Sequence, residues 1–113
     1  MTSGSKILVV PVKNLDRAKS VYRELLGVDP YTDEPYYVGF RVGEQEIGLD
    51  PNGHAQGMTS PVAYWQVDDI NRSFEQLVEA GADAQQAIKD VGGGRRIAIL
   101  RDPDGNAIGL VQD

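Results

Sequence analysis

The chain has no cysteine, one histidine and one tryptophan, and no apolar run approaches the roughly 20 residues that a membrane-spanning helix requires. Without cysteine, disulfides, thiolate metal sites and cysteine nucleophiles are excluded together. With His54 as the single imidazole, neither a two-histidine metal site nor a histidine dyad can form within one chain. Basic residues are also scarce, with 11 Lys and Arg against 17 Asp and Glu and a net charge of −6. A surface that tracks a polyanion needs clustered cations, so nucleic acid is not an expected partner. No membrane segment is expected either, and Met1 to Ser5 lacks the basic and apolar regions of a signal peptide. The expected location is the cytoplasm.

What remains is an ordinary globular composition, with 41% hydrophobic and 25% charged residues over 113 positions, a length that suits a single domain, residues 1–113. Its main feature is an internal echo. Val12-Lys13-Asn14-Leu15-Asp16-Arg17 aligns with Val67-Asp68-Asp69-Ile70-Asn71-Arg72, and Glu46-Ile47-Gly48-Leu49-Asp50 aligns with Ala107-Ile108-Gly109-Leu110-Val111. Two copies do not make a solenoid, so a pseudo-twofold pair of modules is expected, about 1–57 and 58–113.

Lys6 to Val12 is too short for a helix and rich in Ile and Val, which predicts a buried strand. Asn14 then caps a helix whose Leu15, Ala18, Tyr22 and Leu25 recur at helical spacing up to Gly27. Strands are expected over Tyr36 to Val42 and Glu46 to Asp50, with a short strand or loop between Pro30 and Pro35. The turn-rich Pro51 to Gly57 links the halves. The second half repeats the order: a strand over Val62 to Val67, then a helix capped by Asp69 with Ile70, Phe74, Leu77 and Val78 inward. A hairpin over 95–112 follows, turning at Asp102-Pro103-Asp104-Gly105. Helices on one side of largely antiparallel strands predict an α+β fold.

The segments "VKNLDRAKSVYRELLG" (Val12 to Gly27), "VDDINRSFEQLVEAGA" (Val67 to Ala82) and "RDPDGNAIGL" (Arg101 to Leu110), in that order, resemble the vicinal oxygen chelate superfamily of glyoxalases, bleomycin resistance proteins and dioxygenases. The resemblance covers essentially the whole chain. It implies two βαβββ modules with pseudo-twofold symmetry forming a cupped mixed β-sheet, helices on the outer face, and a homodimer. It also implies metal-ligand positions on the first and last strand of each module. Carried over one by one, these fall at Ile7, Gly48, Val62 and Gly109. None offers the nitrogen or oxygen donor that a divalent ion needs, so no metal and no cofactor is expected.

Strand alternation extends the candidate cleft. Ile7, Val9 and Pro11 share one face, leaving Leu8, Val10 and Val12 for the helix side; Val62, Tyr64 and Gln66 share another, leaving Ala63, Trp65 and Val67 for the core. Asp50 lies two beyond Gly48, and Val111 two beyond Gly109. The predicted ligand-binding set is Ile7, Val9, Gly48, Asp50, Val62, Tyr64, Gln66, Gly109 and Val111. The paired glycines leave open volume, which predicts a wide, apolar, small-molecule cleft.

Other candidates have plainer readings. His54 sits in the linker as an exposed residue, Asp102 and Asp104 belong to their turn, and Gly92-Gly93-Gly94 precedes a strand and forms no phosphate cradle. Arg95 and Arg96 beside it are candidates to meet an anionic ligand. Asp33-Glu34 and Glu44 to Glu46 read as solvated loop charges. Three functional readings stay open: a metal-independent small-molecule binding protein of the glyoxalase/bleomycin resistance type, sequestering an antibiotic or metabolite; a lyase, isomerase or dioxygenase-like enzyme working by side-chain acid–base chemistry or a non-family metal site; and a regulatory or structural dimer with no ligand. For the enzyme, Asp50 is the candidate catalytic residue.

Overall fold

The computed structural model describes all 113 residues. The elements are β1 (Thr2–Pro11), α1 (Leu15–Leu26), β2 (Thr32–Glu34), β3 (Tyr37–Val42), β4 (Gln45–Asp50), β5 (Val62–Val67), α2 (Ile70–Glu79), β6 (Asp83–Asp90), β7 (Arg96–Arg101) and β8 (Ala107–Gln112), with a turn of 3-10 helix at His54–Gln56. The order strand, helix, three strands therefore occurs twice, and the fold is α+β with mixed strand pairing.

Two compact units are formed, Ile7–Val62 and Met1–Lys6 together with Ala63–Asp113. Strand β1 is divided between them. In the first unit β1 runs parallel to β4, β4 is antiparallel to β3, and β3 is antiparallel to the short β2. The second unit repeats the pattern, with β5 parallel to β8, β8 antiparallel to β7, and β7 antiparallel to β6. Gly43 makes the tight β3–β4 connection possible, because its φ of 58° is one that residues bearing a Cβ resist.

Each helix covers one face of its own strands. In the first unit Val10, Val12, Val38, Phe40, Ile47 and Leu49 form a buried cluster, with Leu8 and the α1 residues Leu15, Ala18, Tyr22 and Leu26 packed against it. Val38, Phe40 and Leu49 have no exposed surface, and burying each contributes roughly 1.5–3 kcal/mol. In the second unit Val67, Ile70, Ala98, Leu100 and Leu110 form the cluster, lined by Phe74, Leu77, Ala82, Ile88 and Ile108.

Three residues expected to face inward are exposed instead. Leu25 is 73% exposed, and Leu26, four positions beyond Tyr22, takes its place in the core. Val78 is 43% exposed because Leu77 already completes the stripe of Ile70 and Phe74. Trp65 is 39% exposed and is not part of the second cluster, although its partner across the ladder, Leu110, is buried there.

Candidate functional site

The face of each sheet turned away from its helix carries the candidate residues. In the first unit, register places Ile7 beside Glu46, Val9 beside Gly48 and Pro11 beside Asp50. Across the next ladder Gly48 faces Gly39 and Glu46 faces Arg41. Ile7, Val9, Gly48 and Asp50 therefore share one surface. In the second unit Tyr64 faces Gly109 and Gln66 faces Val111, so these four share the corresponding surface. Val62 is buried at the start of β5, as the last residue of the first unit.

The volume expected above the two glycines is filled. A Cβ built on Gly48 would lie 2.5 Å from Cζ of Tyr37, and one on Gly109 would lie 2.6 Å from Cδ2 and 2.7 Å from Cγ of Tyr64. Gly39 is roofed in the same way by Tyr31, whose Cζ would be 2.9 Å from an added Cβ. Each tyrosine side chain occupies the space beside a strand residue that lacks a side chain of its own, an aromatic cover of strand glycines. The glycines thus provide room for tyrosines at these points of the face.

Glu46, expected as a solvated loop charge, is instead 5% exposed on β4. The alternation that buries Ile47 and Leu49 toward α1 turns Glu46 to the opposite face, two positions before Gly48. The Tyr31 hydroxyl donates to its Oε1 at 2.8 Å, and Arg41 Nη2 lies 3.9 Å from the same oxygen. The Arg41 guanidinium also stacks over the Tyr31 ring at 4.1 Å from the centroid, which is a cation–π contact. Burial and the neighbouring Glu46 carboxylate push the Tyr31 phenol up to about 12, so it remains a donor throughout the neutral range. The signal for this cluster was present in the sequence, since Glu46 and Gly48 have the same parity on one strand; the tyrosine that reaches it comes from outside the strands.

The other candidates are occupied locally. Asp50 Oδ1 accepts the Asn52 amide at 2.8 Å and so shapes the exit of β4. Asp102 accepts from the Asn106 side chain at 2.9 Å, the main cause that holds its carboxyl below the usual range, and from the Asn106 and Asp104 amides at 2.8 and 2.9 Å. Arg95 is paired with Asp113, and Arg96 Nη2 donates to Gln112 at 3.1 Å. Both arginines are thus engaged with the end of the chain. Asp33 pairs with Lys19 at 3.0 Å. An open groove of about 570 Å³ runs along Lys13 to Asp16 and Asp33 to Pro35, at the start of α1.

A divalent cation does not fit these residues. Ile7, Gly48, Val62 and Gly109 bring no donor atom to the positions concerned, and no group of three or more His, Asp or Glu converges anywhere else.

The Glyoxalase/Bleomycin resistance protein/Dioxygenase superfamily matches residues 5–110, nearly the full chain. The chain belongs to this superfamily. Among solved structures, a member of the glyoxalase/bleomycin resistance protein/dioxygenase superfamily from Vibrio splendidus aligns with a TM-score of 0.73 and 15% identity, covering 95% of this chain and 97% of that one. The methylmalonyl-CoA epimerase of Mycobacterium tuberculosis aligns with a TM-score of 0.71 and 18% identity over 98% and 88% of the two chains. A variant of the Streptomyces coelicolor methylmalonyl-CoA epimerase in complex with 2-nitronate-propionyl-CoA gives 0.75 and 14% over 100% and 96%. No curated protein sequence matches. At such identities the likeness to these superfamily members is one of fold, and chemistry must be argued from the residues.

Proposed function

We propose that this superfamily member is a metal-independent small-molecule binding protein that takes its ligand on the sheet faces turned away from α1 and α2. The observation that supports this most directly is the replacement of donors by aromatic rings: Tyr37 and Tyr64 lie where side chains of Gly48 and Gly109 would begin. Such a surface, apolar with a few polar groups such as Tyr31, Glu46 and Gln66, suits recognition by shape and hydrogen bonding. The proposed partners are a small, partly aromatic molecule, an antibiotic or a metabolite, and a second copy of the chain in a cytoplasmic homodimer. No helix is long and apolar enough to cross a membrane.

A thermal-shift screen against aromatic antibiotics and metabolites, with and without EDTA, tests the reading. A ligand at one hundred times its Kd raises stability by about 2.7 kcal/mol if it binds only the native state. At least one compound should raise Tm, equally in EDTA. A shift that EDTA abolishes, or no shift across a broad library, would reject it.

The second reading, proton transfer by a side chain, gains a specific observation in Glu46, a buried carboxylate hydrogen-bonded to Tyr31 on the same face. It is a stronger candidate base than Asp50, whose Oδ1 holds a turn. Chemical conversion of a screening hit, lost in Glu46→Gln, would assign the chain to the enzymes of the superfamily.

A further inference from the structure

Alternation along β5 turns Tyr64 and Gln66 to the face opposite α2, since Val67 and its neighbours pack against that helix. Gln66 lies beside Val111, which is fully buried and in turn faces Ile97 on β7. Tyr64, two residues before Gln66 on the strand, fills the space beside Gly109. The Gln66 carbonyl accepts a hydrogen bond from Thr2 Oγ1. The side-chain oxygen is not so paired: Oε1 is shut off from solvent and has no hydrogen-bond partner.

An orphaned amide oxygen among apolar neighbours costs about 1–3 kcal/mol relative to one that is paired. A methionine or leucine at this position would fill the same space without that penalty, so the fold alone gives no reason for the amide. A buried polar atom left unpaired in this way calls for a reason outside the fold, and a ligand that pairs it supplies one.

We infer that Gln66 is the hydrogen-bond acceptor that anchors the ligand on the second module, and that the ligand presents an N–H or O–H donor on a planar, largely apolar frame, as an indole or a phenol does. The inference rests on the binding reading above and narrows its ligand class. Tyr64, Val111 and Ile97 supply the apolar surroundings, and Gln66 supplies the direction. Because Oε1 has no solvent access in the free protein, the amide turns out from its neighbours when the ligand enters and exchanges an unpaired state for a paired one. A fully alkylated analogue of equal shape lacks the donor and leaves the oxygen unpaired.

The experiment uses indole and 1-methylindole, which differ in the donor alone, titrated by NMR into the full chain and into Gln66→Met and Gln66→Leu. The wild type is expected to bind indole about tenfold more tightly than 1-methylindole, the ratio that one paired acceptor supplies. Both variants should bring the ratio close to one while melting at the same or a higher temperature. Equal binding of both probes by the wild type overturns the inference and leaves the binding reading standing. Binding of neither probe counts against both. A lower Tm in both variants makes Gln66 a structural residue and overturns the inference, as does a crystal structure with a water bonded to Oε1 both with and without indole.

Discussion

The tyrosines over Gly48 and Gly109 are not equivalent, and the difference can be measured. At Gly48 the neighbour is the far end of the Tyr37 side chain, which can swing aside when a methyl group is introduced. At Gly109 the neighbours are Cγ of Tyr64, at the root of the ring, and the Ala63 carbonyl 3.0 Å from an added Cβ. Neither can move without the strand. Overpacking of this kind costs roughly 1–3 kcal/mol, so Gly109→Ala is expected near the upper end and Gly48→Ala near the lower. Urea unfolding midpoints of the two variants check the order, and equal midpoints would refute the account. The pairing of these glycines was legible in the sequence, because it is carried by the internal echo. Their covers were not, since the Tyr37 ring reaches from β3 across to β4 and no sequence period reports such a crossing. Glu46 was missed for a related reason: charge suggested a loop, whereas the parity of Ile47 and Leu49 already required it to face the sheet's other side.

At the level of elements, the two helices start by the same device. Asn14 and Asp69 both adopt extended backbone and accept, through Oδ1, the amides of Arg17 at 3.0 Å and Arg72 at 3.1 Å. Each side-chain oxygen satisfies one of the amides that a helix N-terminus leaves unpaired. Asn14→Ala and Asp69→Ala should each destabilise by about 1 kcal/mol, and because the two caps share no partner the double variant should show the sum. Thermal or urea denaturation of the three proteins measures this; a double variant no worse than either single would mean that the caps are redundant. Both caps were readable in advance, as were five strands near their observed bounds. Strand β6 was not located by pattern. Its residues Asp83 to Asp90 are mostly exposed, and its pairing with β7 is interrupted by register shifts near Gln86, so no clean alternation marks it. Such irregularity suits a strand paired on one side within its unit, where a regular edge invites unwanted pairing.

For the molecule as a whole, the excess of acidic groups makes the placement of its few cations informative. Lys6 and Arg95 both converge on Asp113, at 2.8 and 2.5 Å, joining three distant stretches of the second unit. The hydrogen bond from Arg95 is the largest influence on the Asp113 carboxyl; burial opposes it, and the smaller hydrogen bond from Lys6 helps to hold the group below its usual range. A carboxyl whose folded pKa is depressed stabilises the fold above its unfolded value and loses that contribution as pH falls through the folded one. Stability should therefore decline on the acid side, and Asp113→Asn should lower Tm at neutral pH yet converge with the wild type in strong acid. Melting curves from pH 7 to pH 2 test this; parallel curves at all pH values would exclude the linkage.

The division of β1 bears on how this protein could be dissected. Thr2 and Lys6 serve the unit that otherwise begins at Ala63, while Ile7 to Pro11 serve the one that ends at Val62. Severing the polypeptide in its turn-rich middle would accordingly not liberate two finished halves. The downstream fragment would forfeit the hydroxyl that caps the Gln66 carbonyl and one of the two cations paired with Asp113, and would need the upstream fragment in the same tube to regain them.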